Sequence, residues 1–223
     1  MIKMVVFDMA GTTINEDNIV YKTLQQSINN AGFNCTLEFV LTYGAGKEKR
    51  KAISDIVNNM EENIGAEKID AIFKDFQLQL KTAYSVANIS AQPDALMVFD
   101  ALHRLGIKIV LNTGYDSSTA FLLLNELEWE IGYEIDLVIT ASDVANGRPA
   151  PDMILLAMQE FGITNAAEVA KVGDSMIDIE EGLNAGCNIV VGITTGAHNY
   201  EQLLSAKPTF IIHRLSELIP ILT

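Results

Sequence analysis

Short apolar runs alternate with longer stretches of helical spacing along most of the chain. Met4-Val5-Val6-Phe7 is a continuous apolar run that ends abruptly in Asp8, the signature of a strand buried on both faces. Comparable runs lie at 107–111, 137–140, 169–172 and 189–191. Between them, helical patterns cover 93–105, 117–127, 151–161 and 178–185. This alternation predicts an α/β fold, a doubly wound Rossmann-like parallel sheet. Residues 15–88 follow a different rule. Val20, Leu24 and Ile28 are spaced as one face of a helix, as are Ala52, Ile53, Ile56, Val57 and Met60, and then Ile69, Ile72, Phe73, Phe76 and Leu80. The expected organisation is therefore an α/β core of residues 1–14 and 89–223, with a helical domain of residues 15–88 inserted after the first strand.

Composition narrows the classes of function. Of 223 residues about half are apolar and a fifth charged, enough for a substantial core and too apolar for a disordered chain. Fifteen basic against twenty-nine acidic residues leave a net charge of −14, which repels a phosphate backbone, so no nucleic-acid partner is expected. No run approaches the ~20 apolar residues of a membrane span, and Asp8 interrupts the only apolar start. A soluble, cytoplasmic protein without a membrane partner is the expectation. Cys35 and Cys187 are too few and too far apart for a disulfide framework or a zinc site.

Chemistry gathers at the predicted strand ends. The first strand leads into Asp8-Met9-Ala10-Gly11-Thr12-Thr13, and the second into Asn112-Thr113-Gly114-Tyr115. Gly147-Arg148-Pro149 follows the third, and the fourth ends in Gly173-Asp174-Ser175, with Asp178 just beyond. In open α/β sheets ligands bind outside the carboxyl ends of the strands. Asp8, Asp174 and Asp178 would then offer a hard oxygen site suited to Mg²⁺. A carboxylate is also a competent nucleophile toward phosphorus. Thr113 can hydrogen-bond a phosphoryl oxygen, Arg148 can neutralise charge in transit, and Gly11 and Gly114 let backbone N–H groups approach. Each feature alone has a plainer explanation: turn residues, a surface Arg-Pro, or Asp178 complementing a helix dipole. Their joint order favours phosphoryl transfer. Gly44-Ala45-Gly46-Lys47 fits neither a P-loop, lacking glycine at Leu41 and Ser or Thr at Glu48, nor a dinucleotide turn. No Ser-His-Asp triad is indicated; of the three histidines only His198, after Thr195-Gly196-Ala197, lies near a strand end.

The segments DMAGTT, NTGY, GRPAPD and KVGDSMIDIEEGLNAG together resemble the haloacid dehalogenase-like hydrolase superfamily, and more narrowly its phosphonoacetaldehyde hydrolase (phosphonatase)-like subgroup. The resemblance implies that Asp8 is the nucleophile and, with the Ala10 carbonyl, Asp174 and Asp178, a ligand of Mg²⁺. It implies that Thr113 and Arg148 serve the phosphoryl group, that Gly11, Thr12, Gly114 and Tyr115 bind substrate, and that the helical insertion is a cap. A cap-mediated homodimer would suit the subgroup. Ala10 stands where phosphatases of the superfamily carry a second aspartate, so the usual acid is missing. The subgroup instead uses a cap lysine that forms an imine with an aldehyde substrate. Lys47 matches its glycine, two residues, lysine spacing, and the neighbouring Lys49, Arg50 and Lys51 together with a helix start would lower its pKa. The chain departs from the subgroup at Asn18, Tyr43 and Arg50, where the subgroup has cysteine, methionine and histidine. The substrate is thus expected to be a small phosphonate or phosphorylated metabolite. Two alternatives stand beside carbon–phosphorus cleavage: a phosphatase for an ester with a good leaving group, and a non-catalytic phosphometabolite-binding protein.

Overall fold

The computed structural model describes residues 1–223. In chain order the elements are β1 (Met4–Asp8), β2 (Ile14–Asn15), α1 (Ile19–Asn30), α2 (Leu37–Gly44), α3 (Lys49–Met60), α4 (Ala66–Tyr84), β3 (Ser90–Ala91), α5 (Ala95–Arg104), β4 (Lys108–Thr113), α6 (Ser117–Glu126) and β5 (Leu137–Thr140). There follow α7 (Asp152–Glu160), β6 (Val169–Gly173), α8 (Met176–Ala185), β7 (Ile189–Ile193), α9 (Tyr200–Ser205), β8 (Phe210–Ile212) and α10 (Ile219–Leu222). No helix is long and apolar enough to cross a membrane.

Six strands form one sheet in the order β5-β4-β1-β6-β7-β8, with every pairing parallel. Successive side chains of a strand point to opposite faces, and β1 divides accordingly. Val5 and Phe7 join one apolar cluster with Val98 and Phe99 of α5 and Leu123 of α6. Met4 and Val6 join another with Met153 of α7, Ile179 of α8 and Leu203 of α9. Helices therefore cover both faces, which is why the strands read as unbroken apolar runs. The strand order reverses beside β1, so the carboxyl ends of β1, β4 and β6 open on a common crevice.

All five expected core strands are present, each within a few residues of its apolar run. The sheet also holds a sixth, β8, whose three residues are too short to read as a pattern. β2 and β3 are shorter still, two residues each, and pair antiparallel as a narrow ribbon. Helices α1 to α4 all lie between its two strands in the chain, and no strand interrupts them. Helix α8 begins at Met176, two residues earlier than its periodicity predicts, because Ser175 caps it in a capping box with Asp178. Gly186, at φ +80°, ends it in the left-handed conformation that glycine adopts without strain.

Candidate active site

The turn after β1 is built by its own backbone. The N–H groups of Thr12, Thr13 and Ile14 all converge on the Met9 carbonyl, at 2.8–3.2 Å. The Thr13 hydroxyl donates to the Asp8 carbonyl at 3.0 Å. Gly11 takes φ +87°, and a Cβ there would collide with the Asp174 carboxylate. The chain thus holds Asp8 at the strand tip and lets the β6 loop approach from the side. Asp174 accepts a hydrogen bond from Ala197 N at 2.6 Å and lies 3.4 Å from the Thr12 hydroxyl. Gly196 packs on the same carboxylate, leaving no room for a side chain.

Beneath these residues lies a fully buried charge network. Arg148 Nη1 donates to Asp8 Oδ1 at 2.6 Å, its Nε donates to Glu181 Oε2 at 3.1 Å, and its Nη2 donates to Asn112 Oδ1 at 2.6 Å. Lys171 Nζ donates to Asn112 Oδ1 at 2.6 Å and sits 3.0 Å from Asp178 and Glu181. Asn112 Nδ2 in turn donates to Glu181 at 2.8 Å. Asp178 Oδ2 accepts from the Ser175 hydroxyl at 2.5 Å. Its Oδ1, 3.0 Å from both Arg148 and Lys171, has hydrogen-bonding geometry to neither and is otherwise unpartnered.

Four carboxylates (Asp8, Asp174, Asp178 and Glu181) share this site with two embedded cations, Arg148 and Lys171. The imbalance shows in their titration. Burial, with Asp8 and Asp178 alongside, holds Asp174 well above the usual carboxylate range. Burial also raises Asp8, against the pull of Arg148. For Asp178 the opposition of Arg148 and Lys171 overcomes burial and keeps the carboxyl low. Oxygens of Asp8, Asp174 and Asp178 all lie within 4.8 Å of one another. Crowded hard oxygens and an excess of buried negative charge are what a divalent cation would relieve, so these residues fit one.

The space directly against Asp8 is about 10 Å³, room for roughly one water. Ala10, Thr113, Gly114, Tyr115 and Arg148 line it, together with Tyr21, Gly46 and Lys49 from the helical segment. That segment docks by close backbone approach. A Cβ on Gly114 would sit 2.6 Å from the Lys47 carbonyl, and within the segment the Tyr21 hydroxyl accepts from Gly46 N at 3.0 Å. The two candidate lysines diverge here. Lys47 Nζ is held by Asp55 at 2.6 Å and is about one-fifth exposed. Lys49 is buried, donates to the Lys47 carbonyl at 2.8 Å and lies over the rings of Tyr115 and Tyr21 at 5.0 and 5.6 Å. Burial lowers its pKa to about 8, against the attraction of Asp8. The sequence reading placed Lys47 at the site; the structure brings Lys49 there and engages Lys47 elsewhere.

His198 does not reach the carboxylates. Its Nδ1 accepts from Met176 N at 3.0 Å and its Nε2 faces the Leu41 carbonyl of α2 at 3.2 Å, tying the core to the helical segment. Three members of the network, Asn112, Lys171 and Glu181, carry no role in the sequence reading. A lysine inside the apolar run of β6 and a glutamate three residues after Asp178 on the same helix face were the available signals.

A family model of haloacid dehalogenase-like hydrolases matches residues 2–186. The chain belongs to the haloacid dehalogenase-like hydrolases. This hydrolase is 30% identical over 254 aligned positions to a phosphonoacetaldehyde hydrolase of Latilactobacillus sakei, covering 99% of this chain and 95% of that protein. It is 29% identical over 197 positions to the phosphonoacetaldehyde hydrolase of Vibrio cholerae, covering 83% of this chain and 72% of the relative. The crystal structure of a phosphonoacetaldehyde hydrolase-like protein from Oleispira antarctica superposes with a TM-score of 0.86 at 24% identity, covering 99% of this chain and 91% of that one, and shows the shared fold.

Proposed function

We propose that this hydrolase moves a phosphoryl group from a small phosphonate or phosphorylated metabolite onto Asp8 and then to water, with carbon–phosphorus cleavage of a phosphonoaldehyde as the reaction its site suits best. One observation carries the reading: a single cavity holds the Asp8 carboxylate, the Arg148 guanidinium and the buried Lys49 amine, while position 10 has no acid. Asp8, the Ala10 carbonyl, Asp174 and Asp178 would hold Mg²⁺, which supplies positive charge beside the transferring group.

In this reading the neutral Lys49 amine condenses with the substrate aldehyde, releasing water. The protonated imine accepts the electron pair of the carbon–phosphorus bond as phosphorus bonds to Asp8. Protonation of the enamine carbon and hydrolysis of the imine return the aldehyde and the free amine. A second water cleaves the aspartyl-phosphate. Such a leaving group needs no acid at position 10. Arg148 fixes Asp8 in place and offsets charge on the phosphoryl oxygens, while Thr113 and the N–H groups around Gly114 orient them. Because the cavity holds only about a water's volume, helices α1 to α4 act as a cap that moves about the β2–β3 ribbon to admit substrate and then excludes bulk water. A phosphate ester with a good leaving group is the competing substrate, since it too dispenses with the acid that Ala10 cannot supply.

Borohydride reduction in the presence of phosphonoacetaldehyde, followed by peptide mass spectrometry, tests the scheme. The expected adduct is on Lys49, absent in Lys49→Ala and retained in Lys47→Ala. An adduct on Lys47 would reassign the amine. Turnover without any adduct would remove the imine and favour the phosphatase reading. Asp8→Asn should fold and lose activity by at least about three orders of magnitude; retained turnover would end the aspartyl-phosphate mechanism.

A further inference from the structure

A second cavity of about 160 Å³ adjoins the reaction cavity. Lys49, Gly114 and Tyr115 line both, so they form the wall between the two. One side of the second cavity is apolar: Phe73, Phe76 and Leu80 of α4. The other side carries Thr119 and three polar residues that already have partners. Asp116 Oδ1 accepts from Thr119 N at 2.8 Å as the cap of α6, and Glu48 accepts from Arg50 N and Lys51 N at 2.7 and 2.8 Å as the cap of α3. The Ser142 hydroxyl accepts from Ser117 N at 3.3 Å. Apart from Lys49 at the boundary, no cation lines it, and its two carboxylates disfavour any anionic group.

We infer that this cavity is a substrate subsite for a short, uncharged, largely apolar tail that continues from the reacting carbon. The inference rests on the proposed function, because that reading places phosphorus at Asp8 and the carbonyl carbon, one carbon further on, at Lys49. With both ends fixed, whatever the substrate carries beyond that carbon must pass Lys49 into the space walled by α4. By the measure that leaves room for one water against Asp8, 160 Å³ holds roughly ten water-sized groups, ample for a tail of about three to five carbons. The preferred substrate is then a larger phosphono- or phospho-carbonyl compound than phosphonoacetaldehyde, and a second charged group on it is excluded.

The test uses inert alkylphosphonic acids from methyl to hexyl, which read the subsite without requiring cleavage. Their dissociation constants are measured by isothermal titration calorimetry in the presence of Mg²⁺. Affinity is expected to rise about fourfold per added methylene and to level off near butyl or pentyl. A carboxylate at the end of the tail is expected to abolish that gain. Thr119→Phe, which fills the cavity from the core side, should reduce the total gain to less than twofold while methylphosphonate binds as before. Leu80→Ala enlarges the cavity from the other side and should move the plateau to a longer chain; circular dichroism checks that both variants are folded. Length-independent affinity in the natural protein, or a gain that neither variant alters, would overturn the subsite and leave the proposed function standing. Failure of methylphosphonate itself to bind would overturn the phosphoryl site and the subsite with it.

Discussion

Glu16 offers the sharpest quantitative test of how this structure is held together. It follows directly on the β2 strand, is only 2% exposed, and accepts hydrogen bonds from Val20 N at 3.0 Å and from the Tyr84 hydroxyl at 3.1 Å. Tyr84 closes α4, and its hydroxyl lies 2.9 Å from that of Tyr115 at the site. Burial raises the Glu16 pKa from 4.5 to about 7, with its two hydrogen bonds and the nearby Lys49 and Lys22 only partly opposing. The folded state therefore holds the proton more tightly than the unfolded chain. That contribution to stability is complete below pH 4.5 and is lost as pH rises through 7. At 1.36 kcal/mol per pH unit the full span is worth roughly 3 kcal/mol, of which about 2.5 falls between pH 5 and pH 8. Val20 N and the Tyr84 hydroxyl both donate to Glu16 Oε2, so Glu16→Gln with its carbonyl oxygen there keeps both bonds and removes the titration. The melting-temperature difference between Glu16→Gln and the natural protein should therefore grow in the variant's favour from pH 5 to pH 8. For a chain of this size the growth is about 5–10 °C. Differential scanning fluorimetry across that range measures it, and the other acidic groups cancel in the difference. A gap that stays constant with pH would refute the reasoning.

Three further outcomes follow from the charge network. Lys171→Met leaves Asp178 and Glu181 short of a buried cation and should cost about 3–5 kcal/mol in urea unfolding; a loss below 1 kcal/mol would show that the carboxylates neutralise by protonation instead. Gly196→Ala puts a methyl group against the Asp174 carboxylate and pushes it off Ala197 N, so turnover should fall about a hundredfold with secondary structure unchanged by circular dichroism. Mg²⁺ at a hundred times its dissociation constant should stabilise the natural protein by about 2.7 kcal/mol, and Asp174→Asn should remove most of that shift; equal shifts in both would place the cation elsewhere.

What the sequence revealed and concealed divides by the range of the interaction responsible. The core strands were legible because β1, β4 and β6 are covered on both faces, leaving apolar runs that end sharply where the crevice begins. Asp8, Thr113 and Asp174 were legible for the same reason, since each stands at or just beyond the end of a strand, whereas Arg148 lies in the long loop after β5 and Asp178 in the first turn of α8. The β2–β3 ribbon was not, since two-residue strands carry no periodicity. Asp178 caps α8 through Ser175, as its place near a helix start suggests, and also lies against Arg148 and Lys171, long-range partners that no local pattern reveals. The lysines are the most instructive case. From residues 47 to 51 the charge run reads as a solvated face, which is true of Arg50 and Lys51, both paired with acids at the surface. Lys49, however, stands with Ala52, Ile53 and Ile56 at i, i+3, i+4 and i+7, the stripe that α3 buries. Motif spacing selected Lys47 by its distance from Gly44, while helical phase puts Lys49 on the inward face. Spacing from a glycine says nothing about which way a side chain turns once the next helix begins; phase does. A lysine placed on the apolar stripe of a helix must find an anion or an aromatic surface, and here both are supplied from outside the helix, by Asp8 and by the rings of Tyr21 and Tyr115.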